Sequence, residues 1–228
     1  MRARNTRIGG KWMSTIARIK CKCAVCGARN ELAVLCSTNE FGSPDLDLRP
    51  PEMKRSTMTL WVQECSKCGY AAEDISEDRK VPQDLMRSEK YKSCEGHSFE
   101  SDLARKFYKS YMINRHLQLH ADAFYDVLHA AWACDDIEDT EGAKLCRILA
   151  FKFIPTLIKE RAGDKETLLV MAADLLRRSG HFDELINSYQ NVRFSTELLN
   201  EILSFEIAKA KEKDAGCYAV SDVVNKIV

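Results

Sequence analysis

Two short motifs constrain this chain more than anything else in it: Cys23-Ala24-Val25-Cys26-Gly27 and Cys65-Ser66-Lys67-Cys68-Gly69. Both are C-x-x-C-G. Two thiolates three positions apart reach one ion when the chain turns tightly between them. A glycine after the second cysteine has no Cβ, so it takes positive φ easily and lets backbone N–H groups face the sulfurs. Two such turns supply four soft ligands at about 2.3 Å in a tetrahedron, the preferred geometry of structural zinc. The flanks agree, because residues 18–22 (RIKCK) and 57–63 (TMTLWVQ) are β-prone approaches to the two turns. The expected module is a zinc ribbon in which Cys23, Cys26, Cys65 and Cys68 hold one structural Zn2+ ion. A redox dithiol is the competing chemistry. That motif normally occurs once, beside a βαβ pattern, and here it occurs twice without one. Four thiolates complete the shell, so catalysis by this zinc is not expected.

The remaining cysteines and the histidines carry weaker signals. Cys21 precedes Cys23 by two residues and competes as a ligand only if the C-x-x-C-G pairs fail to complete the shell. Cys36 stands alone and is expected to be buried. Cys94-Glu95-Gly96-His97 has knuckle-like spacing, which leaves a second metal site with Cys36 or Cys21 as a minor alternative. His116 and His120 are four apart and would share a helix face, but no HExxH-type base lies between them, so a surface pair is expected. Cys134, Cys146 and Cys217 fall in helical patterns and should pack as small hydrophobes.

The separation of Cys26 from Cys65 exceeds the roughly 15–20 residues usual between such pairs. The insert at residues 37–51 (STNEFGSPDLDLRPP) is rich in turn formers and reads as a loop. Asp45, Asp47 and Arg49 alternate and would share one side of an extended stretch. The favoured expectation is a solvated loop, with a recognition surface as the sharper alternative.

After an acidic stretch around Glu73 to Asp78 the hydrophobic period becomes helical. Phe99, Leu103, Phe107, Tyr108, Tyr111 and Met112 form one stripe, with Ser98 as the expected N-cap. Ala121, Phe124, Leu128, Ala131 and Trp132 form the next. Ala143, Cys146, Ala150, Phe153 and Leu157 follow an Asp-rich turn at residues 135–140, and Pro155 should kink that helix. Leu168 to Leu176 make a helix ending at Ser179-Gly180, and Phe182, Leu185, Ile186 and Tyr189 make its partner. A helix capped by Ser195 or Thr196 and a short one over residues 221–228 complete the series. Small residues let paired helices approach closely. Ala131, Ala143 and Ala150 match the spacing of tetratricopeptide (TPR) hairpins, and Ala173, Gly180 and Phe182 give a weaker copy with Leu185 in place of alanine. The copies are 42 residues apart, against about 34 in regular repeats. A groove lined by Trp132, Tyr125 and Phe107 is expected to be filled.

Composition bounds the rest. Lys+Arg and Asp+Glu are both 34, so the chain is neither globally polybasic nor an acidic tail protein. No apolar run approaches the ~20 residues that cross a bilayer. Residues 1–17 form a basic leader without a signal-peptide h-region, and Met13 is an equally good start, which leaves the leader as a mis-set start or a disordered arm. The expected location is the cytoplasm, where thiols stay reduced and closely spaced cysteines bind metal. The expected organisation is mainly α with a small β zinc ribbon: a leader over 1–17, the zinc ribbon with its long loop over 18–78, and an antiparallel α-helical hairpin stack, TPR-like, over 79–228.

The stretches CAVCG, STNEFGSPDLDLRP, TMTLWVQECSKCGYAAEDIS and LHAAWACDDIEDTEGAKLCRILA together carry a likeness. Through them the chain resembles a bacterial family of uncharacterised proteins that join an N-terminal zinc ribbon to a TPR-like helical region. The resemblance spans most of residues 19–150, with a looser match to the C-terminus. It implies zinc on Cys23, Cys26, Cys65 and Cys68, and it implies no activity.

Three function classes follow. The first is a non-enzymatic interaction protein, in which the helical stack presents a surface to a protein partner and the ribbon acts as a rigid cap. No P-loop, GxSxG, HExxH or dinucleotide fingerprint occurs. The second is nucleic-acid binding by the basic residues of the ribbon, Arg18, Lys20, Lys22 and Arg29 among them. The third is catalysis or redox sensing, with Asp135, Asp136, Glu138, Asp139 and Glu141 around one turn as a hard-metal cluster, or zinc ejected by oxidation of its thiolates. A solvated acidic turn is the favoured reading of that cluster.

Overall fold

A computed structural model describes residues 4–8 and 11–224. Strands β1 (Arg4–Ile8), β2 (Lys11–Lys22) and β3 (Arg29–Thr38) form an antiparallel sheet in the order β1-β2-β3. β2 and β3 make one long hairpin whose last pair is Lys22 opposite Arg29, so the first C-x-x-C-G turn sits at its tip. Residues 4–8 and 11–17 of the basic leader are thus strand. Two-residue strands β4 (Gln63–Glu64) and β5 (Ala71–Ala72) flank the second turn. The β-prone approach expected over 57–63 is instead a 3₁₀ helix at Arg55–Leu60, closed by Trp61 donating Nε1–H to Thr57 Oγ1 at 3.0 Å.

The helices are α1 (Gln83–Arg87), α2 (Glu89–Lys92), α3 (Asp102–His116), α4 (His120–Asp135), α5 (Thr140–Phe151), α6 (Ile154–Glu160), α7 (Lys165–Arg178), α8 (Phe182–Tyr189), α9 (Glu197–Lys211) and α10 (Val220–Val224). The molecule is mainly helical. α3 packs on α4, α4 on α5, α5 on α7, and α7 on α8 and α9. Ala131, Ala143 and Ala150 are all buried, as a close α4–α5 crossing requires. No described helix is long and apolar enough to cross a membrane.

Local chemistry explains the ends of these helices. α3 is capped by Ser101, whose Oγ accepts from Ala104 N–H, and not by Ser98. Asp139 caps α5 through Gly142 N–H at 2.9 Å, and Asp164 caps α7 through Thr167 N–H at 2.8 Å. Pro155 starts a new helix and kinks none: α5 stops at Phe151, and Pro155 occupies the first turn of α6, where its missing N–H is not needed. α7 ends at Gly180, whose φ of +84° lets His181 N–H return to Leu176 O at 2.8 Å. His116 closes α3 and His120 opens α4, so they share no helix face; His120 Nδ1 meets Glu160 Oε1 at 2.7 Å.

The loop of residues 37–51 is not solvated where it matters. Asp45, Leu46, Asp47 and Arg49 are buried, Asp47 completely. They share a side because the chain turns, not because it extends: Leu48 takes φ 64°, Leu48 N–H bonds to Asp45 O, and Asp45 N–H bonds to Arg49 O, each at 2.9 Å. Asp47 Oδ2 accepts from Trp132 Nε1 at 2.7 Å and from Arg178 Nη1 at 2.8 Å. Arg49 Nη2 bonds both oxygens of Asp136 at 2.7 Å. On its far side the loop meets the C-terminal segment, where Leu46 N–H bonds Tyr218 O and Val220 N–H bonds Pro44 O, each at 2.9 Å. Cys217 belongs to this contact and not to a helix; it is exposed, and its Sγ donates to Asp45 Oδ2 at 3.3 Å.

The acidic turn is consumed by the same packing. Asp135 pairs with Arg147 and Arg178, Asp136 with Arg49, Asp139 caps α5, and Glu141 pairs with Lys144. Among the described residues, none of these acids joins a metal-ligating cluster. Phe107 is buried as expected, whereas Trp132 and Tyr125 line an open cavity.

Candidate metal centre

Each C-x-x-C-G segment folds into the same tight turn. Cys23 N–H bonds Ala28 O at 2.9 Å and Gly27 N–H returns to Cys23 O at 2.8 Å; Cys65 N–H bonds Tyr70 O at 2.8 Å and Gly69 N–H returns to Cys65 O at 2.9 Å. Gly27 and Gly69 take φ of +70° and +72°, where any Cβ would be strained. A Cβ on Gly69 would also stand 3.4 Å from Lys109 Nζ.

The two turns face each other. The Sγ atoms of Cys23, Cys26, Cys65 and Cys68 all lie within 4.8 Å of one another, the one such cluster among the described residues. Cys23 to Cys68 and Cys26 to Cys65 are both 3.7 Å. A tetrahedron with metal–sulfur bonds of 2.3 Å has edges of about 3.8 Å, whereas a disulfide brings sulfurs to about 2.05 Å. The donor set and spacing therefore fit a tetrahedral metal ion bound by four thiolates.

Electrostatics point the same way. Burial pushes the Cys23 and Cys68 thiols up, Cys68 further because its three neighbours are sulfurs. Cys65 is also buried, yet N–H groups of Cys68 and Lys67 and the amide of Asn30 bring it down to about 6. Four crowded thiols cannot all ionise unaided, and a cation at their centre supplies the missing counter-charge.

The supporting residues were invisible as a pattern. Asn30, buried at the start of β3, donates Nδ2–H to Cys65 Sγ at 3.6 Å and to Ala28 O at 3.0 Å. Its Oδ1 accepts from Ser66 N–H at 3.0 Å and Ser66 Oγ at 3.1 Å. One side chain thus ties the first turn to the second. The second turn is fastened to the helices. Glu64, beside Cys65, receives Arg105 through two bonds at 3.0 and 3.1 Å and Lys109 at 2.7 Å. Tyr91 of α2 donates its hydroxyl to Gly69 O at 2.8 Å and accepts Ala71 N–H at 3.2 Å. The first turn reaches the same body through Ala24 N–H to Ile75 O at 2.9 Å.

The other sulfur candidates stay outside. Cys36 is exposed on β3 and not buried, Cys21 is half-buried, and Cys94 is buried in a short 3₁₀ turn. Among the described residues Cys94 and His97 join no metal-ligating cluster. Cys134 and Cys146 are buried in α4 and α5 as expected. Compared with known protein families, with curated proteins and with solved structures, the chain matches none.

Proposed function

We propose that this is a non-enzymatic zinc protein in which one structural zinc ion joins the β2–β3 hairpin to a TPR-like helical body that binds a protein partner. The reading rests on one observation: four cysteines, two at the hairpin tip and two on a turn bolted to α2 and α3, converge with sulfur–sulfur distances of 3.7 Å. Cys23, Cys26, Cys65 and Cys68 would hold the ion, which supplies a fixed crosslink. A four-thiolate shell has no open position, so the ion's task is mechanical. A body stiffened by this clamp and by the inserted loop suits a scaffold that presents surfaces. Metal analysis of protein captured from its native host, with the bound partners identified, tests the reading. One zinc per chain and a partner lost on truncation of the helical region are expected; a metal-free chain with intact fold would overturn it.

A second reading has its own observation. Arg18, Lys20, Lys22 and Arg29 are all exposed on β2 and β3, and a row of cations on a hairpin suits phosphate contacts. Affinity for RNA or DNA that falls steeply with salt would favour it.

A further inference from the structure

A cavity of about 820 Å³ lies between the β2–β3 hairpin, Trp61, and helices α3 and α4. Its size is that of a small-molecule site. One wall is aromatic: Trp61, Tyr125, His129 and Trp132 line it. The His129 ring stands 5.2 Å from Trp61, 4.9 Å from Trp132 and 6.2 Å from Tyr125, with Phe107 behind it at 5.1 Å. Burial, with Arg49 nearby, pushes His129 down to about 3 against the pull of Asp47, so at neutral pH it is an uncharged ring and repels no cation.

The facing chemistry is acidic. Asp126 lies three residues before His129 on α4, on the same helix face. Its Oδ2 accepts Asn114 Nδ2–H at 2.7 Å, Ser110 of α3 hydrogen-bonds the same carboxyl group, and the Arg79 charge acts on it from a distance. The cations of the cavity are committed elsewhere. Lys54 is held by Glu40 at 2.6 Å. Arg79 is held by Glu77 at 2.9 Å, by Asp122 at 3.6 Å, and by Asn114 Oδ1 at 3.1 Å. Among the described residues no Lys or Arg pairs with Asp126. The Trp132 ring already has the Arg49 guanidinium over it at 6.0 Å, which leaves Trp61 as the free indole. A carboxylate without an ion-pair partner, lining one cavity with an indole, is the chemistry that recognises an organic cation: carboxylate for charge, indole for the alkylated nitrogen.

The geometry points to a binding site for a small ammonium-bearing molecule, its charged nitrogen held between the Asp126 carboxylate and the aromatic wall of Trp61, Tyr125 and His129. An anionic ligand is disfavoured, because Asp126, Asp122 and Glu73 line the cavity while Lys54 and Arg79 are already neutralised. Burial raises the Asp126 carboxyl to about 7 against the hydrogen bonds of Ser110 and Asn114 and the charge of Arg79, so the carboxylate that binds an amine predominates above neutral pH and the titrations are run at about pH 8.

The test titrates the full-length protein with choline and with putrescine, following tryptophan fluorescence and binding heat. The control is 3,3-dimethyl-1-butanol, the neutral carbon isostere of choline. Saturable binding of at least one amine is expected, with the isostere about tenfold weaker or more if the amine is choline. Asp126→Asn should weaken the amine about tenfold or more and leave the thermal midpoint intact or higher. Tyr125→Ala, at an exposed rim position, should weaken it about two- to fivefold without touching the fold. No saturable binding of either amine, equal binding of choline and its isostere, or unchanged affinity in both variants overturns the proposal.

Discussion

Trp132 on α4 donates its indole N–H to Asp47 Oδ2 at 2.7 Å, across 85 residues of sequence. That bond turns the insert between the two cysteine pairs into part of the core. Asp47 also accepts Arg178 at 2.8 Å and lies 3.9 Å from Arg147, so one fully buried carboxylate is shared by α4, α5 and α7. A buried charge is tolerated only when paired and hydrogen-bonded. The loop therefore completes the helical body: Arg147 and Arg178 already share Asp135, and Asp47 supplies the second carboxylate that two buried guanidinium groups call for.

Asp47→Ala should be severely destabilising. Removing it leaves Arg178 Nη1 and the Trp132 N–H buried without an acceptor and Asp135 as the carboxylate that Arg147 and Arg178 must share, a loss of about 3–5 kcal/mol. Asp47→Asn should cost less, because it keeps an acceptor for the indole. Urea unfolding midpoints of the two variants check the order; a near-neutral Asp47→Ala would show that the loop does not hold the helices.

Cys65→Ser should remove metal and unfold the two turns while most helical signal survives, because α3 to α9 pack on one another without the ribbon. Structural zinc supplies roughly 10–16 kcal/mol of apparent binding in finger-like peptides, far more than two-residue strands provide. Metal content and far-ultraviolet circular dichroism measure the two halves of this expectation. Stoichiometric zinc retained in the variant would refute the ligand assignment.

Asn30→Ala leaves all four thiols in place and removes the bonds to Cys65 Sγ, Ala28 O, Ser66 N and Ser66 Oγ. Loss of such an outer partner typically weakens metal about 10- to 100-fold. Competition with a chelator reads this directly, and unchanged zinc affinity would mean that Asn30 merely fills space.

Asp126 should make stability fall as pH rises from about 4 to 7. Its ordinary value is 3.8 and burial raises it to about 7. Below both values the carboxyl is protonated folded and unfolded, and contributes nothing to the pH dependence. Between them the unfolded chain ionises while the folded one keeps its proton, so stability is lost progressively; above pH 7 the loss is complete and constant. Asp126→Asn removes this dependence. Its stability relative to the parent should grow from pH 4.5 to 7.5, and parallel curves would contradict the shift.

Much of the candidate site was legible because its signals are local. Cysteines three apart, with glycine next, dictate a turn whatever surrounds them, and the two turns needed only to meet. The helical stripes were legible for the same reason, as was the acidic turn at 135–140. Ser101 in place of Ser98 and Pro155 as a helix start are errors of a few residues, where caps compete within one turn. The misjudged positions are those whose partners lie far along the chain. Cys36 looked buried as a lone apolar thiol, but β3 turns it outward. Residues 37–51 looked solvated because turn formers dominate them, yet their fate hangs on Trp132, Arg147 and Arg178.

By itself, then, the sequence determined the two cysteine turns and the succession of helices, since thiol spacing and apolar period act over a single turn of backbone. Only the tertiary structure decided that Asn30 supports the cysteines, that Asp47 is an inner anion, and that Asp126 lines a cavity whose cations pair with other acids. Charge pairing and hydrogen bonding between distant segments have no period to read. They exist only once packing has brought the side chains within about 3 Å.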